Sequence, residues 1–117
     1  MSESSALGPQ ALLVDGGDAL LRPRVELHPG VEHTILWRQG RDVAGLLWIQ
    51  GGFEVPEHTH GRSEHHVWVL AGRARIGDRT VGPGSYWHVP VGVPHHIAGV
   101  APEGCTIAYQ FVSRVAG

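Results

Sequence analysis

Glycine and proline interrupt this chain so often that few folds remain open to it. Seventeen glycines and eight prolines are spread through 117 residues. Apolar runs end at Gly16-Gly17, Pro29-Gly30, Gly40, Gly51-Gly52, Gly72, Gly77-Asp78, Gly82-Pro83-Gly84 and Pro90. No window is left for a long amphipathic helix, because glycine weakens and proline breaks a helix interior. Short apolar runs between turn signals instead predict an all-β sandwich or barrel. The sharpest local signal is Ile76-Gly77-Asp78-Arg79, where Gly-Asp between two β-prone segments predicts a two-residue hairpin turn. A helix of one or two turns is expected over residues 98–104. Residues 1–10 are small and polar with a Gly8-Pro9 break, and read as a flexible lead-in. Residues 11–114 then form one domain, as expected for this length.

Composition excludes several chemistries. All nine basic residues are arginine, so no lysine can form a Schiff base. The formal charge of -2 supplies no basic surface for a phosphate backbone, so no nucleic-acid partner is expected. Cys105 is the single cysteine and can build neither an internal disulfide nor a thiolate metal cage. No stretch has the roughly 20 apolar residues that span a bilayer, and residues 1–10 lack the pattern of a secretory signal. A soluble cytoplasmic protein with no membrane partner is the expectation.

Histidine is the over-represented residue, at nine. His58, His60, His65, His66, His88, His95 and His96 crowd one third of the chain. In His58-Thr59-His60 the two rings share one face of an extended chain, about 7 Å apart, and can converge on one ion. His95 follows Pro90-Val91-Gly92-Val93-Pro94, a stiff turn that pre-positions the next side chain.

These residues resemble the two motifs of the cupin superfamily. Gly52, five residues, His58-Thr59-His60 and a later Gly72 match the first motif. Gly84, five residues, Pro90-Val91-Gly92, two residues and His95 match the second, with Gly99 where the family has asparagine. The resemblance implies a double-stranded β-helix, that is, a jelly-roll barrel. It also implies one divalent transition metal (Fe, Zn, Ni, Mn or Cu) held by His58, His60, His95 and a fourth ligand. Pro29-Gly30-Val31, Leu36-Trp37, residues 46–56 and Gly104-Cys105 are further similar to the branch containing the ChrR C-terminal domain and dihydroxyacetophenone-type dioxygenases. The sigma-binding domain that ChrR carries is not expected here, so the resemblance does not imply sigma-factor binding.

The fourth ligand departs from the family pattern. Glu64 lies at the right distance from His60, but only His65 is also separated from Gly72 by six residues. His65 shares strand parity with Val67, Val69 and Ala71, which read as the barrel-lining side. His65 is therefore the favoured fourth ligand, with Glu64 the alternative, either bound or orienting a ligand ring. His66 or water remains open. His88, two residues before Pro90, is a candidate for lining the pocket. His28, His33 and His96 read as surface or structural residues, and any one of the four tryptophans suits the pocket.

The expected function is a metal-dependent dioxygenase-type reaction on a small oxygenated organic molecule. The alternative is a non-catalytic sensor or binding module for a metal or small ligand. Strands over residues 11–14 and 20–27 are expected to cross onto a second copy, giving a homodimer.

Overall fold

Most of the apolar runs bounded by glycine or proline become strands, since β-branched and aromatic side chains suit a pleated, half-buried surface. The computed structural model describes residues 11–114, so the expected flexible segment 1–10 lies outside the described residues. In chain order the elements are helix α1 (Gly16–Leu21), β1 (Val25–His28), β2 (Val31–Gln39), β3 (Asp42–Ile49), β4 (Val55–His58) and β5 (Ser63–Gly72). Then follow β6 (Ala74–Ile76), β7 (Arg79–Val81), β8 (Tyr86–Val89), β9 (His95–Ala98) and β10 (Cys105–Ser113). Six strands form one antiparallel sheet in the order β1-β2-β3-β10-β5-β8, and four form a second in the order β4-β9-β6-β7. The crossovers between the sheets make a jelly roll, so the expected all-β class is the observed one.

The two sheets enclose one core. Val31, Ile49, Val67, Val69 and Ile107 from the larger sheet meet Val55, Ala74 and Ile97 from the smaller one. Ile49, Ile107 and Val31 are the largest side chains with essentially no exposure. Burying each contributes about 1.5–3 kcal/mol. One close approach depends on glycine. A Cβ on Gly45 of β3 would sit 2.6 Å from the Tyr109 ring on β10 and 2.7 Å from the Thr34 carbonyl.

The hairpin forms as read: Ile76 pairs with Arg79 across Gly77-Asp78, and Gly77 takes φ +64°, open to glycine at no steric cost.

Three local expectations are corrected. Residues 11–14 are not a strand, and residues 20–21 end helix α1, not a strand. Asp15 caps this helix by accepting from the Asp18 amide at 2.8 Å. Pro23 then forces Arg22 into extended backbone, so the first strand begins only at Val25. Residues 98–104 are not a helix: Ala98 ends β9, and the rest is a loop that turns at Pro102-Glu103. Gly99 and Gly104 both adopt positive φ, and the Ala101 amide is taken by the Arg73 carbonyl at 3.0 Å. Finally, Ala71 does not line the interior. The β5–β10 register slips between Thr106 and Ile107, leaving Leu70 as an extra residue. That bulge reverses the alternation and turns Ala71 outward.

Candidate metal centre

Strand pairing assembles the histidine cluster. His58, the last residue of β4, is the register partner of His95, the first residue of β9. His60 follows two residues on, and its carbonyl accepts from the Gly92 amide at 2.9 Å. That bond ties the loop after β4 to the Pro90–Pro94 turn, so both motifs are clamped together. His65 comes from β5 in the opposite sheet, on the face that carries Val67 and Val69. The cluster therefore lies between the sheets.

One nitrogen from each of His58, His60 and His95 lies within 4.8 Å of the other two. The His65 ring centroid is 3.9 Å from that of His60 and 4.9 Å from that of His95, but 6.5 Å from that of His58. The His58 Nδ1 donates to the Pro56 carbonyl at 2.7 Å, and the His95 Nδ1 to the Val93 carbonyl at 3.0 Å. A carbonyl only accepts, so these bonds fix the proton on Nδ1 and leave Nε2 with a free lone pair. Backbone bonds of this kind hold a metal-binding ring in place and fix its tautomer.

The Nε2 atoms of His60, His65 and His95 are all buried without a hydrogen-bond partner. An unsatisfied buried polar group costs about 1–3 kcal/mol. Their rings lie 3.9–5.3 Å apart, and a divalent cation among them would give these nitrogens a partner. Burial is also the main force holding these rings neutral, which is the ligand form. It lowers His60 to about 4, with help from His58 and His95, and His65 to about 3, with help chiefly from His60 and His95. His95 is lowered by burial too, against the opposing pull of the Val93 carbonyl. The donor set is imidazole only, which suits Zn, Fe, Ni, Mn or Cu.

The cluster opens on a cavity of about 790 Å³, within the size range of small-molecule sites. Its walls are largely apolar: Val31, Ile35, Leu47, Val67, Ile107 and Phe111. Phe111 stacks on His65 at 3.9 Å and 5°, and Trp87 meets His95 edge-on at 5.8 Å. Trp87 is thus the tryptophan that lines the pocket. Among the polar lining residues is His33, whose Nδ1 lies 3.1 Å from the Tyr109 hydroxyl. Burial lowers His33 and raises Tyr109, so both are neutral at pH 7.

Sequence reasoning missed His33, Tyr109 and Phe111. Parity could have found His33, which shares one face of β2 with inward-facing Val31 and Ile35. His28 and His96, also read as surface residues, contribute to the cavity wall.

Glu64, His66 and His88 lie elsewhere. With His65 facing in, its neighbours Glu64 and His66 face out. Glu64 is held by Arg114 at 2.7 Å and by His66 at 2.9 Å. The Arg114 bond, more than any other influence, keeps its carboxyl well below the usual range. His88 is exposed, pairs with His66 in register and lies 3.4 Å from Glu64. It does not line the cavity: Trp87 and Val89 take the inward positions of β8, and alternation turns His88 outward.

The sequence matches no family model and no curated protein. Solved structures share its fold. KdgF from a Halomonas species is 18% identical with a TM-score of 0.69, covering 80% of this chain and 90% of that one. An RmlC-like cupin from Shewanella frigidimarina is 20% identical with a TM-score of 0.71, covering 91% and 93%. The Rhodobacter sphaeroides structure of SigE in complex with the anti-sigma ChrR is 28% identical with a TM-score of 0.70. That match covers 79% of this chain and spans only 50% of the other. Among the described residues, no helix is long and apolar enough to cross a membrane.

Proposed function

We propose that this chain, which shares the fold of solved cupin structures, is a metal-dependent enzyme of dioxygenase type, acting on a small oxygenated organic substrate. The observation that carries the reading is the convergence of one nitrogen from each of His58, His60 and His95, within 4.8 Å of one another, at the wall of an open, largely apolar cavity. A structural metal site would be closed, whereas this one faces space for a ligand. His58, His60 and His95 would hold the ion, with His65 the fourth ligand. A bound divalent ion supplies Lewis acidity and coordination positions for an oxygen donor. Neutral imidazoles leave its full charge uncompensated, which favours an anionic substrate such as an enolate or phenolate.

The rest belongs to the protein. Trp87 and Phe111 brace His95 and His65. The apolar walls exclude water and accept a hydrocarbon or aromatic body. His33 and Tyr109 offer a paired polar contact on the lining away from the cluster.

The test is elemental analysis of purified protein, followed by oxygen consumption on a panel of dihydroxyacetophenone-like and β-diketone compounds. Metal-dependent uptake, abolished in His60→Ala, is expected. No uptake across the panel by fully loaded protein would overturn the enzymatic reading.

A second reading is supported by the 28% likeness to the SigE–ChrR structure. In it the same cavity binds a metal or small ligand and reports through a protein contact, without turnover. Ligand-dependent partner capture or change in oligomeric state with no product formed would favour it. On either reading we place the protein in the cytoplasm, as a homodimer with no nucleic-acid or membrane partner.

A further inference from the structure

We propose that Glu64, His66 and His88 form a second metal site, for a zinc-like divalent ion, on the outer face of the larger sheet. One ligand atom from each lies within 4.8 Å of the others. Glu64 Oε1 is 2.9 Å from His66 Nε2 and 3.4 Å from His88 Nε2. Four-coordinate zinc with bonds of about 2.0–2.1 Å has its ligands roughly 3.3 Å apart. The observed spacings bracket that value, so small side-chain movements would admit the ion.

The sheet places these groups. Glu64 and His66 are two apart on β5 and share its outer face. His88 on β8 is the direct register partner of His66. Cross-strand neighbours have Cβ atoms about 5 Å apart, so the rings stack with centroids 5.0 Å apart. The supporting bonds are in position as well. The Tyr86 hydroxyl lies 2.6 Å from His66 Nδ1, and as acceptor it would fix the tautomer that bares Nε2. Arg114 holds the other carboxylate oxygen, Oε2, at 2.7 Å, while its Nη2 lies 3.5 Å from Oε1. Oε1 thereby stays turned toward the imidazoles. Two imidazoles and one carboxylate are a donor set typical of zinc with an open position.

This site is separate from the inner cluster. His65 and His66 are neighbours in sequence, but the pleat sends one inward and the other outward. The strand thus carries a ligand on each face.

The experiment is equilibrium dialysis of the full chain against Zn(II), with bound metal counted by elemental analysis. Wild type is expected to hold two ions per chain. His88→Ala and Glu64→Gln should each hold one, with unchanged thermal unfolding of the metal-free protein. A His60→Ala, His95→Ala double variant should also hold one, and lose it when His88→Ala is added. A zinc count equal to wild type in either His88→Ala or Glu64→Gln would overturn the proposal and leave the three residues as a hydrogen-bonded network with Arg114 and Tyr86. If wild type holds a single ion that His88→Ala removes, the outer site stands and the inner reading fails.

Discussion

At the scale of single residues, the inner cluster joins local strand geometry to burial, and burial has a measurable signature. In the unfolded chain His60 and His65 take a proton near the ordinary 6.5, but in the fold only near 4 and 3, mainly because burial disfavours the charged ring. Above pH 6.5 neither state is protonated and stability is unaffected. As pH falls from 6.5 toward 4 and then 3, the unfolded chain binds protons that the folded one refuses, so stability drops across that window. Denaturant titrations of metal-free protein should show this drop, and it should shrink in His65→Leu. A stability that stays flat from pH 6.5 to 4 would contradict it. Gly45 gives a second residue-scale expectation. Its Cβ would strike the Tyr109 ring and the Thr34 carbonyl, so Gly45→Ala should cost about 1–3 kcal/mol in the same titrations. The convergence of His58, His60 and His95 was legible in the sequence, because their spacings lie within two short motifs. The His33–Tyr109 pair was not, because it joins β2 to β10 through a fold that no local pattern specifies.

At the scale of elements, alternation explains most successes and most errors. It put His65, Val67 and Val69 on one face correctly, and failed at Ala71 because a bulge at Leu70 adds a residue to β5 alone. A bulge answers to pairing with β10, which lies more than thirty residues further along the chain, so it leaves no mark in the β5 sequence. The same alternation, applied to β8, would have sent His88 outward; proximity to Pro90 was the weaker guide. The Gly77-Asp78 hairpin was legible because its turn chemistry is wholly local. Helix α1 was overlooked because six residues beginning Gly16-Gly17 carry little helical propensity, and the cap at Asp15 supplies the missing support. Asp15→Ala should therefore fray α1 selectively. Amide exchange in the helix should quicken, while global stability falls by only about 1 kcal/mol. A cooperative loss across the whole fold would show that α1 is integral to the core.

At the scale of the whole molecule, the jelly roll leaves its larger sheet with two edges, β1 and β8. An edge strand presents unpaired backbone donors and acceptors, and proteins usually cover it, blunt it or pair it. β1 keeps two apolar side chains in solvent, with Val25 57% exposed and Leu27 46%, and has no proline inside it. The expectation of strands crossing from residues 11–14 and 20–27 therefore contracts to this one strand. Antiparallel pairing of β1 with its copy about a two-fold axis would satisfy the free backbone groups and cover both apolar side chains at once. Light scattering should accordingly give twice the 12.6 kDa chain mass. Leu27→Glu would set like charges against each other across the two-fold axis, and should shift the protein to monomer. Leu27 also lies on the cavity wall, whereas the histidine cluster is built from β4, β5, β9 and the loop after β4. The monomeric variant should thus keep its inner metal while its substrate preference changes. A wild-type protein that stays monomeric at high concentration would rule out the β1 interface, and a dimer unaffected by Leu27→Glu would move the interface to another surface.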